Sequence, residues 1–362
     1  MKTALILLFC LALMFIMTFG AFIWMPASIH YRITERYILT TSDEKVSVYL
    51  GIMLPKSGPY QQIKNINISW LGDVNREYDG CVELVKLNKN IEPYSQDKAV
   101  IEYLASVSSG LVLWHDESND CQLPNPVQSE LEHPVIKKQA SMITDGNSIL
   151  DAYRIFSFTS QYIVHKSEPL ACSRASSAYE AYISGVGTCC EFSRLMVGLA
   201  HAAGIPARSI SGVLMPDLEL PGEMITSEDS HPGEAHAWVE LAQGDLWTMA
   251  DPTWGSEGWQ LTSFGRNDGR HLRYGDAKVE AEIYQELRSW AAAYTPLSAK
   301  RFAGLKYVLA AIPKDIQMKV VVSVQKGWDG RWLNAILVLV ISTYLACRVR
   351  NCLLNASSTS LF

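Results

Sequence analysis

Apolar residues fall first in an unbroken block, then in alternation, then at helical spacing, and these changes of period divide the chain. Thr3 to Ile29 carries no charged residue and is longer than the roughly 20 residues that cross a bilayer. From His30 to about Asn125 the pattern alternates, in V-S-V-Y-L-G-I-M-L, I-N-I-S-W-L, C-V-E-L-V-K-L and S-G-L-V-L-W, with breakers at Pro55, Gly58, Pro59 and Gly80. That spacing predicts an antiparallel β-rich domain. Between Pro126 and Lys166 the period becomes helical: Ile136, Ala140 and Ile143, then Ile149, Leu150, Tyr153 and Phe156. Phe192, Leu195, Met196, Leu199 and Ala203 recur at steps of three and four and predict a further helix with one buried face. Ala235–Ala242 alternates again, with Ala235, Ala237, Val239 and Leu241 on one face and His236, Trp238 and Glu240 on the other. Ala277–Tyr294 reads as helix through Val279, Ile283, Leu287 and Trp290, Val320–Val324 as a short strand, and Trp332–Cys347 as a second apolar block followed by Arg348 and Arg350.

The helix near residue 190 has marked ends. Thr188 occupies the N-cap position with Glu191 three residues on, a capping box that makes Cys189 the first helical residue. Gly204 and Pro206 close it. A thiol at a helix N-terminus meets backbone N–H groups and the positive end of the helix dipole, which favour thiolate, and the same N–H groups suit a developing oxyanion. Cys189 is therefore the candidate nucleophile; the plain alternative is a small buried packing residue. Downstream, D-L-W-T-M-A-D-P forms a second strand after Ala235–Ala242. With Gln243-Gly244 as a two-residue hairpin loop, counting back sets His236 directly opposite Asp251, within reach of an imidazole–carboxylate hydrogen bond. Cys189, His236 and Asp251 then have the roles of nucleophile, general base and the group that orients the base.

G-T-C-C-E-F-S on a helix ending G-I-P-A-R, followed by H-A-W-V-E and then D-P-T, resembles the core of the transglutaminase-like superfamily over roughly Ser141 to Trp259. The resemblance assigns the nucleophile to Cys189 rather than Cys190, and maps His236 and Asp251 to the other two catalytic positions. It implies an α+β, papain-like core in which the cysteine helix packs on an antiparallel sheet. Members include cross-linking enzymes, proteases, amidases and inactive binding domains, so it leaves the reaction open. Cys190 departs from the pattern, and pairing with another thiol such as Cys172 is set against a buried thiol on the helix.

Composition narrows the remainder. A formal charge of −6 gives no nucleic-acid footprint, and eight cysteines without a CxxC pair argue against zinc. No metal or cofactor is called for. Cys81 and Cys121 are a natural disulfide pair in an oxidising compartment, though spacing does not fix it. Met215–Glu234 is long and acidic, a lid or a solvated insertion; His231 within it lacks partners for a metal site. Trp254, Trp259 and Phe264 suit a cleft wall or core packing.

The expected fold class is thus α+β, with domains at 1–29 (transmembrane anchor), 30–125 (β-rich), 126–265 (catalytic core), 266–327 (helical accessory region), 328–350 (second transmembrane helix) and 351–362 (tail). A cleaved signal peptide is the alternative at the start, with Phe19-Gly20-Ala21 a weak cleavage site. Arg348 and Arg350 predict a cytoplasmic tail. Two spans place both termini in the cytoplasm and the central domain outside the plasma (inner) membrane. The expected function is thioester chemistry on amide bonds of a peptide or protein substrate, hydrolysis ahead of transamidation. The alternative is a silent, membrane-tethered peptide-binding domain.

Overall fold

In the computed structural model the alternating runs are strands and the 3.6-residue runs are helices; residues 12–20, 24–79, 82–115, 133–166, 177–276, 289, 296–300, 307–312 and 316–344 are described. The β-rich half begins β1 (Ala27–Thr41), β2 (Val46–Leu54), β3 (Gln61–Ser69), β4 (Asp73–Asp79), β5 (Val82–Ile91), β6 (Gln96–Leu111) and β7 (Leu113–Trp114). Then come α1 (Pro134–Ile143), α2 (Ser148–Tyr162), β8 (Val164–His165), α3 (Ala178–Ser184), β9 (Val186–Gly187), α4 (Cys189–Ala202), β10 (Ala207–Leu214), β11 (Met224–Glu228), β12 (Glu234–Gln243) and β13 (Leu246–Ala250). After a single turn, α5 (Pro252–Trp254), and further short helical turns at Gly255–Trp259 and Gln260–Thr262 come the strands β14 (Arg266–Asp268), β15 (His271–Asp276), β16 (Pro296–Lys300), β17 (Tyr307–Ile312) and β18 (Ile316–Asp329).

Three sheets carry the fold. One has the order β11-β18-β1-β6-β14 with β3 also on β6, a second β16-β17-β2-β5-β4, and the third, β15-β10-β12-β13-β7, is the sheet of the site. The first two close over one apolar core. In β1 the inward positions Ile29, Tyr31, Ile33, Tyr37 and Leu39 keep the two-residue period. The odd member is Glu35, whose carboxyl is pushed up by burial and accepts from the Tyr37 hydroxyl at 2.6 Å and the Tyr103 hydroxyl at 3.1 Å.

The site sheet is covered on both faces. Val239, Leu241, Ala207 and Ala250 pack with Phe192, Leu195, Met196 and Leu199 of α4 and with Ile136, Ile155 and Phe156 of α1 and α2. Each of these buried side chains larger than alanine contributes about 1.5–3 kcal/mol. On the opposite face Ile210, Trp238 and Met249 meet Tyr60 and Val112 from the β-rich half. Glu240, fully buried on that face, takes Arg208 Nε at 2.6 Å, Arg273 Nε at 3.1 Å and the Tyr60 hydroxyl at 2.7 Å. Burial opposes its charge, but Arg273 and Arg208 outweigh it and hold the carboxyl below its usual range. Gln61 fastens the same seam, donating to Arg273 O and accepting from Arg273 N, at 2.6 and 2.7 Å.

Several expectations need correction. The described part of 266–327 consists chiefly of strands, not accessory helices, because β18 pairs along nearly all of β1, from Ile29↔Asp329 to Thr41↔Ile316. Within Met215–Glu234, β11 adds an edge to the first sheet through Met224↔Gln325 and Glu228↔Val321, so this stretch is neither a free lid nor a wholly solvated insertion. In α2 the buried positions include Ala152, Ile155, Phe156 and Thr159, while Leu150 and Tyr153 face outward, a rotation from the expected face. The helix expected at 277–294 and Cys81, Cys121 and Cys172 lie outside the described residues. Residues 12–20 and 331–344 are helical. Among the described residues no helix is long and apolar enough to cross a membrane, and both expected spans run into undescribed residues.

The buried Glu240 cluster generates a stability prediction. Glu240→Ala removes the carboxylate that Arg208 and Arg273 share in the buried seam, and should lower unfolding free energy by about 3–5 kcal/mol in urea denaturation. Glu240→Gln, which keeps acceptors there, should cost less.

Candidate active site

Local sequence places the thiol. Thr188 donates from its backbone N–H and its hydroxyl to Glu191 Oε2, at 2.8 and 2.9 Å, so the capping box stands as the pattern predicts. Glu191 lies so close under Gly187 that a Cβ there would come within 2.4 Å of it, which is why glycine precedes the cap. Cys189 opens α4 with a partly exposed, free thiol. Cys190, the next residue, is disulfide-bonded. Successive helical residues point about 100° apart, so the two sulfurs leave the helix in different directions.

The sheet places the other two groups by a different route from the expected one. The hairpin loop is Gly244–Asp245, with Gln243↔Leu246 and Ala242↔Trp247 as its first pairs. Gly244 has φ 66° at the first loop position, where a type II′ turn needs glycine; a Gln243-Gly244 loop would put it second. The register therefore differs by two from the expected count, the ladder ends at Val239↔Ala250, and His236 is not directly opposite Asp251. A shift of two leaves every side chain on its own face. The carboxylate reaches the imidazole diagonally instead, with His236 Nε2 and Asp251 Oδ2 2.8 Å apart.

Asp251 does more than hold one ring. Its Oδ1 caps α5 by accepting from the N–H groups of Thr253 and Trp254, at 3.0 and 3.2 Å, and Pro252 sits at the first helical position. The turn former and the partner of histidine are one residue. Burial works against its charge, but His236 and then His271 outweigh that and hold the carboxyl far below its usual range.

His236 has Nε2 2.8 Å from Asp251 Oδ2. Burial alone would lower its pKa; the charge and hydrogen bond of Asp251, followed by those of Cys189, raise it well above the ordinary histidine value. The ring lies nearly parallel to Trp238, at 6.2 Å and 24°. Trp238 fits because Gly212, the register partner of His236, lies diagonally across from it, where a Cβ would come within 2.4 Å of the indole. The indole N–H donates to the Tyr60 hydroxyl at 2.9 Å, so a residue from the β-rich half steadies the platform beside His236.

His271 is the site residue that the sequence reading missed. Its Nε2 is 3.1 Å from Asp251 Oδ2, the same oxygen that meets His236, and its Nδ1 is 2.9 Å from Asp268 Oδ1. The available signal was D-x-x-H in a short alternating run twenty residues after Asp251, which is weak without knowing that β15 joins this sheet. Donor atoms of His236, Asp251 and His271 lie within 4.8 Å of one another, a composition a metal ion could also use. A cation among them would have to displace the protons that serve the two imidazole–carboxylate hydrogen bonds.

The other candidates divide. The Trp254 ring lies against His271 at 5.3 Å, with Arg270 over its face. Phe264 packs on Phe156 and Tyr153, Tyr182 stacks on Tyr162, and Trp259 is exposed. His231 is buried, its Nδ1 accepts from Gly233 N–H at 2.9 Å, and it joins neither the site nor a cluster of metal-binding type.

Fold and site together define a mixed α/β protein with a free thiol at the start of a helix and an imidazole–carboxylate pair carried by an antiparallel sheet and the turn after it. Residues 138–252 match the model of the transglutaminase-like superfamily, and the chain carries a transglutaminase-like domain there, preceded by a β-rich region. A solved structure described as a candidate cysteine protease from Cytophaga hutchinsonii is similar at 12% identity and TM-score 0.43, covering 81% of this chain and 90% of that one. The periplasmic domain of TgpA from Pseudomonas aeruginosa is similar at 13% identity and TM-score 0.32, covering 65% and 90%. No curated protein matches the chain in sequence.

His231 supplies a pH prediction. Burial lowers its pKa from 6.5 to about 4, so on acidification the unfolded chain takes up this proton first. The stability that the neutral ring contributes is intact above about pH 6.5 and is lost as pH falls to about 4, about 3 kcal/mol in all. His231→Asn, whose Oδ1 can accept from Gly233 N–H, should lack that share of the acid destabilisation in denaturation curves taken across the interval.

Proposed function

We propose that this chain is a membrane-anchored cysteine enzyme that cleaves amide bonds of peptides or proteins through a thioester, with Cys189, His236 and Asp251 as its catalytic residues. The observation that carries the reading is His236, with Nε2 at 2.8 Å from Asp251 and a pKa raised by Asp251 and then by Cys189, the free thiol that opens α4. The Cys189 sulfur attacks the amide carbonyl, and its electron pair forms the C–S bond as the carbonyl oxygen takes up charge. First-turn N–H groups of α4 are suited to that oxyanion. His236 gives its proton to the departing amine as the C–N bond breaks, leaving a thioester and a neutral ring. Water then attacks, His236 takes its proton, and the acid leaves as the thiolate is restored. Asp251 keeps the ring turned so that one nitrogen always faces sulfur. The catalytic unit in this reading runs from about 126 to 276, past the expected limit at 265, because β15 carries His271.

Hydrolysis is favoured over transamidation on the expected tethering outside the cytoplasm, and the disulfide at Cys190 agrees with an oxidising compartment. The anchoring is supported by where the two apolar helices leave the fold. β1 and β18 are antiparallel neighbours at Ile29↔Asp329, so 12–20 and 331–344 depart from one end of one sheet, and Asn334 Nδ2 donates to Pro26 O at 3.0 Å across the junction. Phe15, Ile16, Leu333, Ile336 and Val340 are all more than half exposed, a surface that a bilayer would cover. Both termini then share the cytoplasmic side.

Two measurements bear on this reading. Cys189→Ala should reduce hydrolysis of a casein-derived peptide pool by at least about a thousandfold with the fold intact, and full residual activity would sink the assignment. Native full-length protein should remain in the membrane pellet after an alkaline carbonate wash, whereas release into the supernatant would remove the anchors.

A further inference from the structure

We infer that His271, clamped between two carboxylates, is a positioning residue that fixes Asp251 beneath His236. The inference rests on the cysteine chemistry proposed above and adds a fourth and a fifth member to it. Its basis is a continuous run of hydrogen bonds among buried groups: His236 Nε2 to Asp251 Oδ2, the same oxygen to His271 Nε2, and His271 Nδ1 to Asp268 Oδ1, at 2.8, 3.1 and 2.9 Å. Both nitrogens of His271 face carboxylates, which accept and do not donate, so the ring carries a proton on each and is a buried cation. Burial disfavours that charge, and Asp268 and Asp251 together overcome it.

Neighbouring elements hold the clamp in place. Asp268 Oδ1 also accepts from Arg270 N–H at 2.8 Å, and Arg331, at the start of the helix 331–344, donates from Nη1 to Asp268 O at 3.2 Å. Trp238 and Trp254 meet the ring of His271 edge to face, at 5.0 and 5.3 Å, and the His236 ring is 5.6 Å away. The charged and titratable groups around His271 are thus Asp251, Asp268 and His236, with Cys189, Arg266, Arg270, Arg331, Asp329 and Tyr31 one step further out.

A cation on the far side of Asp251 does two things. It supplies a second strong donor to Oδ2, so the carboxylate cannot swing away from the sheet when His236 passes its proton on. It also draws on the charge that Asp251 offers His236, which keeps the working imidazole from becoming so basic that it could not give its proton to an amine. Removing the cation should therefore make His236 hold its proton to higher pH.

The test is the rate of alkylation of Cys189 by iodoacetamide, followed by peptide mass spectrometry on the full-length protein in detergent, from about pH 4 to about pH 10. Wild type, H271Q, D268N and C189A are compared. H271Q should move the alkaline limb of the profile, set by His236, upward by about one pH unit. D268N, which keeps an acceptor for His271 but drops the charge that holds its second proton, should move it the same way by less. A side chain that only fills space would not shift that limb, so profiles that overlay the wild type in both variants overturn the inference. Should H271Q fail to fold, D268N alone decides it. If wild-type Cys189 reacts no faster near neutral pH than in denatured protein, the cysteine chemistry itself has failed, a result distinct from an unshifted profile.

Discussion

One carboxylate, buried and fully occupied, ties the site together. Asp251 accepts from two backbone N–H groups on Oδ1 and faces two imidazoles on Oδ2. A buried carboxylate without such partners would take up a proton and lose its hold on His236. The cap on α5 fixes the direction of the side chain, and Pro252 makes the turn that brings it back toward β12 after the ladder has ended. Only then do the diagonal contact to His236 and the contact to His271 from β15 become possible at once.

The same constraint explains why the β-rich half cannot be regarded as a separate module beside a catalytic core. The face of β12 that bears His236 also bears Trp238 and Glu240, both fully buried, and what buries them comes from the β-rich half through Tyr60, Gln61 and Val112. Tyr60 joins two networks, accepting from the Trp238 indole and donating to Glu240. Stripped of that half, the sheet would expose the platform on which His236 rests and leave two arginines and a glutamate to be solvated. The site is a property of the interface between the halves.

How much of this could be read from the chain follows from the range of each interaction. The capping box at Thr188 and Glu191 is local, and it appears as expected, with Cys189 the first helical residue. The hairpin was visible as two alternating runs, but its register depended on which loop position the glycine takes, and the type II′ turn at Gly244 moves it by two. His236 and Asp251 still meet because a two-residue shift preserves the face. His271 was not legible, since its place depends on β15 pairing with β10 across a register shift between Ser211 and Gly212. Nor was the role of β18, whose pairing with β1 joins residues nearly three hundred positions apart. Helical spacing told where α2 lies but not which stripe is buried, because Leu150 and Tyr153 share its apolar character with Ile155 and Phe156.

Two adjacent cysteines at the head of one helix look redundant until their states are compared. Cys190 is disulfide-bonded, while Cys189 is the free cysteine among the described residues. A free thiol beside His236 at a helix N-terminus would be open to exchange or oxidation in an oxidising compartment, and a second free thiol one residue on would compete with it for every electrophile. With Cys190 held in a disulfide and turned about 100° around the axis, Cys189 keeps the free thiol at the head of the helix. The two cysteines of Cys189-Cys190 are thus in different states, one free and one cross-linked, although they share a helix start.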